Sequence, residues 1–99
     1  MIQHTVAFQL EPNLNEDDIR AFFRAARALS EIAGVKEFEV LKQVGKKNSF
    51  AYALSMYFES QHEYDAYNSH PQHVAFVENF WLKHVSDFIE LDYVRSADV

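Results

Sequence analysis

The chain has 99 residues, 48% of them hydrophobic and 15% aromatic, which is enough apolar material for one domain around a single core. Its formal net charge of −6 argues against nucleic acid or an anionic membrane as the main partner, because both require basic surfaces. The absence of cysteine excludes disulfides and cysteine-ligated metals, and no apolar run approaches membrane-spanning length. We therefore expect a single cytoplasmic domain over residues 1–99.

The first third of the chain predicts a strand and then an amphipathic helix. Apolar and polar residues alternate over residues 1–10, as in a strand with one buried face, and His4 falls on the apolar face. Asn15 can cap a helix with an acidic first turn, and Gly34 can end it in a left-handed conformation. The apolar stripe of this helix consists of Ile19, Phe22, Phe23, Ala26, Leu29 and Ile32. The arginines of the opposite side, Arg20, Arg24 and Arg27, are interpreted as a solvated face, with carboxylate binding as the alternative.

The middle of the chain predicts a β-hairpin. Strands over residues 35–44 and 49–59 flank a turn at residues 45–48, which is rich in the residues that hairpins use. One face of the third strand is strongly apolar, with Phe50, Tyr52, Leu54, Met56 and Phe58. Its other face is small and uncharged, which indicates that this side of the sheet is covered as well.

The last third predicts two helices and a strand. Ser60 and Glu63 match a capping box that opens a short helix to about residue 68. Pro71 suits the first turn of a helix over about residues 71–85, in which His73 lies on the apolar side. That helix has two adjoining apolar strips: Val74, Val77, Trp81 and Val85, and His73, Phe76, Phe80 and His84. A strand over residues 86–94 follows.

The predicted order is βαββααβ, which is typical of an α+β, ferredoxin-like fold with an antiparallel sheet and its helices on one face. Such helices leave the second face of the sheet uncovered, although that face is apolar enough to require a partner. We therefore expect a homodimer that forms through the sheet face, since symmetric dimers are the commonest oligomers.

Several segments in this order resemble the stress-responsive dimeric α/β-barrel (Dabb) domain along nearly the whole chain. The matching segments are residues 1–8, 33–35, 52–54, 58–60, 67–73 and 88–93. The most specific of them is the His-Pro-x-His element at residues 70–73, with Tyr67 upstream. The resemblance implies a ferredoxin-like protomer whose sheet closes into a dimeric α/β barrel with that of a second copy.

The resemblance also implies two kinds of function. One branch of the family is stress-associated and dimeric, and another contains polyketide cyclases that close a ring by aldol condensation. In the cyclases, a histidine of strand one and the second histidine of the His-Pro-x-His element line a pocket with a nearby tyrosine; the similar positions here hold His4, His73 and Tyr67. The cyclases also carry a pocket tyrosine on helix one and a histidine on strand three, where this chain has Ala26 and Tyr52, so the same substrate is not expected.

The main interpretation is a stress-associated Dabb-type homodimer with a small-molecule pocket between the sheet and the helices. Two hypotheses for its activity follow, and the first is a cofactor-independent cyclase or lyase acting on a small apolar or enolisable, polyketide-like ligand. His73 would be the general base, Tyr67 would hydrogen-bond the enolate oxygen, and His4 would orient the substrate or donate to the oxyanion. The second hypothesis is a non-catalytic, stress-associated dimer in which His4 and His73 are structural. A ferredoxin-like monooxygenase is a further alternative by analogy of fold alone. A metal site is not predicted, because no carboxylate joins His70 and His73 at ligand spacing.

Overall fold

Four antiparallel strands and a set of helices form a ferredoxin-like protomer in the structure, a computed structural model that describes residues 1–97. The strands are β1 (Ile2–Leu10), β2 (Lys36–Lys42), β3 (Tyr52–Phe58) and β4 (Val85–Val94). The helices are α1 (Glu16–Ala28), α2 (Gln61–Ser69), α3 (Pro71–Phe76) and α4 (Leu82–His84), with a 3-10 turn at Leu29–Glu31 and a π-helical segment at Val77–Trp81. The sheet order is β2-β3-β1-β4, which confirms the predicted fold.

The core lies between one sheet face and the helices. Phe8 of β1 is fully buried, and its ring centroid lies 5.6 Å from that of Phe22 and 5.0 Å from that of Trp81. Leu54, Met56 and Phe58 of β3 are buried on the same side. The period-two pattern of the strands therefore identified the buried face correctly. Within residues 1–97 no helix is both long and apolar enough to cross a membrane.

Helix α1 begins where the sequence predicts and ends earlier. The Asn15 side chain accepts a hydrogen bond from the Asp18 N–H at 2.8 Å, and the Asp18 carboxylate accepts one from the Asn15 N–H. The α-helical part stops at Ala28, and the 3-10 turn tightens the chain before Ile32, which is extended and buried. Gly34, with φ of 92°, therefore shapes the turn into β2 and does not end the helix itself.

Both hairpin strands are shorter than predicted. The register of β2 against β3 shifts between Lys36 and Glu39, where Glu37 has a positive φ of 50°. At the other end, the Gln43 amide donates to Asn48 and to the backbone carbonyl of Phe50. These side-chain bonds hold the connection beyond Gln43 as a loop, while the Gln43 backbone N–H still donates to the Ala51 carbonyl at 2.8 Å.

Side chains cap the N-terminal ends of α2 and α3. Ser60 Oγ accepts from the Glu63 N–H at 3.3 Å, but the Glu63 carboxylate accepts from the N–H of Glu59, so the predicted reciprocal bond is absent. His70 caps α3, since its Nδ1 accepts from the Gln72 N–H at 3.0 Å. This cap, with Pro71 at the first helical position, fixes the start of the helix that carries His73.

The predicted single helix over residues 71–85 contains a π-helical segment, and this changes which residues face inward. Phe76 and Trp81 are both buried although they lie five positions apart, about 140° around a regular α-helix. The wider i→i+5 turn at Val77–Trp81 brings both rings to the core side. Val74, which was predicted to belong to the apolar stripe, is 40% exposed.

The other sheet face points away from the helices. Its centre pairs Ala7 with Ala53 on one side and with Ile89 on the other, and Ile89 is 44% exposed. Nearby, the Ser55 hydroxyl accepts hydrogen bonds from the side chains of Gln3 and Thr5. This outer sheet face is therefore uncharged at its centre and partly apolar.

Candidate functional site

A cavity of about 240 Å³ lies between the inner sheet face and the helical stretch over residues 71–84. All three residues predicted from the sequence, His4, Tyr67 and His73, line it. The rest of its wall is mostly apolar: Val6, Leu29, Leu54, Met56, Phe76, Val77, Trp81, Leu82 and Phe88, with Glu90 as the one charged residue. A strand, the end of one helix and the start of the next thus bring the three side chains to one space.

His4 is held by a carboxylate and a phenol. Its Nδ1 lies 2.6 Å from Asp92 Oδ1 and 2.8 Å from the Tyr64 hydroxyl, which in turn lies 2.9 Å from Asp92 Oδ2. A carboxylate can only accept, so Nδ1 carries a proton that it donates to Asp92. When the His4 ring is neutral, Nε2 is therefore left as a proton acceptor.

Tyr64 and Asp92 were not identified from the sequence. Burial, and then the hydrogen bond to Asp92, raise the pKa of the Tyr64 hydroxyl, so Tyr64 stays a donor at neutral pH. Asp92 faces His4 because β1 and β4 pair with position 4 opposite position 92. Asp92 is one of three carboxylates in the last strand, with Asp87 and Glu90, and nothing in the sequence singles it out. Its partner depends on a strand register that the sequence does not state.

His73 is fixed by the backbone of the preceding helix. Its Nδ1 lies 3.1 Å from the carbonyl oxygen of Asn68, so Nδ1 must be the protonated nitrogen and Nε2 the acceptor. Burial lowers the pKa of His73, and the nearby His4 lowers it further, while the Asn68 hydrogen bond and Glu90 act in the opposite direction. The net lowering favours the neutral imidazole at neutral pH, which is the form a general base requires.

Tyr67 lies between the two histidines. Its ring centroid is 4.4 Å from that of His73 and 6.4 Å from that of His4. Within residues 1–97, His84 Nδ1 is the only buried side-chain polar atom that lacks a hydrogen-bond partner and is sealed from solvent. The Tyr67 hydroxyl makes no hydrogen bond to residues 1–97, yet it is not among the unpaired atoms that are sealed from solvent. It is therefore accessible, from the cavity that the Tyr67 ring lines. Burial, and then the negative charge of Glu90, raise the pKa of Tyr67 and keep it a donor.

The arrangement combines two imidazole acceptors and one phenol donor around an apolar space. This set can take a proton from a weakly acidic carbon and hydrogen-bond the oxygen that becomes negative. The cavity wall does not include Ala26 or Tyr52, the residues that this chain has where the cyclases carry a pocket tyrosine and a histidine. No group of three or more potential metal ligands occurs among residues 1–97.

A family model and a solved structure identify the same family. The family model described as the stress responsive A/B barrel domain, Dabb, matches residues 2–95. A Dabb family protein with a ferredoxin-like fold from Mesorhizobium loti is 40% identical, with a TM-score of 0.90 over 97% of each chain. No curated protein matches the sequence.

Two more distant structures share the fold. A hydroxynitrile lyase from Passiflora edulis is 19% identical, with a TM-score of 0.86, and the match covers 97% of this chain and 94% of that one. A dimeric ferredoxin-like protein of unknown function from Thermobifida fusca is 18% identical, with a TM-score of 0.81 over 95% and 90% of the two chains. At these identities the likeness shows the fold alone.

Proposed function

The chain belongs to the Dabb family of stress responsive A/B barrel domains, and from this premise we propose that it is a homodimer with a small-molecule site in each protomer. The site is the cavity between the sheet and the helices, and its reaction is proton transfer at the carbon next to a carbonyl group. His73, Tyr67 and His4 carry the chemistry. The protein from Thermobifida fusca, which shares the fold, is dimeric, and this supports the proposed dimer. We propose the outer sheet face as the interface because the helices leave it uncovered.

One observation carries this proposal. His4 and His73 line the same cavity, and within residues 1–97 the hydrogen bonds of both rings go through Nδ1. Nε2 of both histidines is therefore left for a ligand. Different partners fix the Nδ1-protonated tautomer in the two rings. A histidine that serves only packing has no need of an Nε2 left open beside a cavity.

The reaction proceeds by removal of a proton and return of a proton. Nε2 of His73 takes a proton from the carbon beside the carbonyl, and the electron pair of the broken C–H bond moves onto the carbonyl oxygen. The Tyr67 hydroxyl donates a hydrogen bond to that enolate oxygen. The enolate carbon then either takes the proton back from His73 or attacks the carbon of a second carbonyl, as in an aldol closure. In the aldol closure the π electrons of the second carbonyl move to its oxygen, and this alkoxide takes the proton from His73. Asp92 and Tyr64 hold the His4 ring against the substrate.

The substrate class follows from the wall of the cavity. The lining is mostly apolar and its one charged residue, Glu90, is acidic, so an uncharged carbonyl compound is favoured over an anion. The volume of about 240 Å³ limits the ligand to a small molecule. The Passiflora edulis protein is named as a lyase, which supports placing lyase-type chemistry on this fold but assigns no substrate here.

A second candidate is a stress-associated dimer without catalysis. The Asn68 carbonyl bond of His73 and the Tyr64–Asp92 pair of His4 are also what structural histidines make. Under this alternative the histidines fix the turn before α3 and the pairing of the edge strand β4. The two candidates differ in whether the protein accelerates proton exchange.

Proton exchange on an aryl methyl ketone tests the proposal. We expect the protein in D2O to accelerate deuterium uptake into the methyl group of acetophenone above the rate given by the same concentration of free imidazole, measured by proton NMR. Replacing His73 with Gln should lower the protein-dependent rate by roughly 10²-fold or more, the usual contribution of a general base. Tyr67→Phe should also lower it, because the enolate oxygen loses its donor.

The matched control is His62→Gln, which removes an exposed histidine of α2 outside the cavity. We expect this variant to keep the full rate. A rate for the unchanged protein no higher than that of free imidazole would leave only the non-catalytic dimer, and an accelerated rate that His73→Gln keeps would rule out His73 as the base. Thermal unfolding of each variant shows whether a lost rate reflects lost folding.

A further inference from the structure

A second concave surface lies between helix α1 and the edge strand β2. This groove has a volume of about 590 Å³, larger than the sheet–helix cavity, and shares no residue with it. Its floor is formed by the half-buried side chains of Ile19, Phe23, Val40 and Tyr52. The rings of Phe23 and Tyr52 meet edge to face with centroids 5.0 Å apart. An apolar floor is thus built from both elements.

The rim of the groove is basic. Arg20, Arg24, Arg27 and Lys42 line it, which places four of the nine Lys and Arg residues of a chain with net charge −6 around one surface. The residues of positions 1–97 that line the groove include no carboxylate. The groove therefore has a charge opposite to that of the protein as a whole.

Three of the four cations are free of ion pairs with residues 1–97. Arg20 forms ion pairs with Glu16 and Asp17 on its own helix. Among residues 1–97, no carboxylate forms an ion pair with Arg24, Arg27 or Lys42. Like charges three or four positions apart on a helix repel each other, and Arg20, Arg24 and Arg27 follow this spacing. An anion bound between them would relieve that repulsion and accept the paired N–H groups that a guanidinium presents.

We propose that this groove binds an amphipathic anion, a small molecule with an apolar chain or ring and a carboxylate or phosphate head. The apolar body would lie on Phe23, Val40 and Tyr52, and the head would be held by Arg24 and Arg27. Nucleic acid does not fit, because the basic surface is confined to one groove of an acidic chain. The ligand differs in charge from the neutral carbonyl compound of the histidine cavity, so the two sites are tested separately.

Titration with short amphiphiles below their micelle concentration tests the proposal. We use octanoate, octyl phosphate and octanol and follow the backbone amides by two-dimensional NMR on the full chain. We expect at least one of the two anions to shift the amides of residues 19–27 and 40–42, and the tighter anion identifies the head group. Octanol should bind at least tenfold more weakly, since it has the same chain without the charge. Raising the salt concentration should weaken the anion.

The double variant Arg24→Gln/Arg27→Gln should lower the affinity for the anion at least tenfold. Its control is Lys83→Gln/Arg95→Gln, which removes the same charge from exposed positions outside the groove and should leave the affinity unchanged. Equal binding of octanol and the anions, or equal loss in both double variants, would overturn the proposal. So would anion-dependent shifts confined to the residues around His4 and His73. If the groove instead holds a second copy, the anions cause no shifts and Arg24→Gln/Arg27→Gln weakens self-association.

Discussion

At the scale of single residues, His73 shows how one hydrogen bond can set a tautomer without supplying charge. The Asn68 carbonyl orients the ring, but a neutral carbonyl compensates a buried imidazolium less than a carboxylate would. Burial consequently has the largest effect on the pKa of His73 and lowers it. The neutral form of the His73 ring is therefore favoured and can accept a proton, and protonation of His73 opposes folding.

This lowering predicts a pH-dependent part of the stability. Because the pKa of His73 is lower in the folded protein than the usual value of about 6.5, the unfolded chain binds the proton more readily. The stabilisation by neutral His73 is complete above about pH 6.5 and is lost as the pH falls through the folded pKa. We expect the free energy of unfolding in urea to fall more steeply between pH 7 and pH 5 for the unchanged protein than for His73→Gln.

The comparison is His62→Gln, which removes an exposed histidine outside the cavity. A His73→Gln curve parallel to that of the unchanged protein across this range would mean that His73 does not titrate differently in the two states. A carbon-detected NMR titration of the His73 ring measures its folded pKa directly and should give a value below about 6.5.

At the scale of elements, the π-helical segment decides the packing of the last helical stretch. It places Phe76 and Trp81 on the same side, and the two rings lie with centroids 6.2 Å apart. Both residues also line the histidine cavity. The segment therefore contributes to the core and to the wall of the site.

Deleting the exposed Asn79 should convert the π-helical segment to a regular α-helix. The residues on its two sides then rotate about 100° relative to each other, so either Phe76 or Trp81 leaves the core. We expect a loss of about 3–5 kcal/mol in the free energy of unfolding, as for removing a buried aromatic side chain. Trp81 is the only tryptophan, so its fluorescence reports its exposure.

The matched change is Asn79→Ala, which keeps the chain length and should alter the stability by about 0.5 kcal/mol or less. A deletion variant with native stability and unchanged tryptophan emission would show that the π-helical turn is not required for packing.

Local patterns predicted much of this architecture, and tertiary pairing determined the rest. Alternation in β1 and the Asn15 cap could be read from the sequence because each depends on neighbours within a few positions. The exposure of Val74 could not be predicted from the sequence, because the helical pattern assumes 3.6 residues per turn throughout and the π-helical segment departs from that spacing. The site residues His4, Tyr67 and His73 were predicted from the family resemblance, and His4 and His73 also from their positions on apolar faces of a strand and a helix. The partner Asp92 depends on a register between distant strands.

At the scale of the whole molecule, the outer sheet face is the surface on which the proposed homodimer depends. A charge at its centre should prevent two such faces from meeting, because it would be buried without a partner. We expect Ile89→Glu, in the middle of β4, to shift the protein from dimer to folded monomer at micromolar concentration. Size-exclusion chromatography with light scattering measures the mass, and circular dichroism confirms folding.

Val44→Glu makes a similar change in the loop after β2, where Val44 is 95% exposed, and should leave the mass unchanged. If the unchanged protein already has the mass of one chain, or Ile89→Glu keeps the mass of two, the outer sheet face is not the interface.

The bond between His4 and Asp92 joins residues 88 positions apart through the pairing of β1 with β4. During synthesis the first of these residues leaves the ribosome long before the second, so the partially made chain carries His4, Tyr67 and His73 without the carboxylate that orients the first. Closing so long a segment is also among the slower steps of folding. Any activity of the cavity would therefore appear only once β4 has joined the sheet, and a growing chain would stay inactive until its last strand is in place.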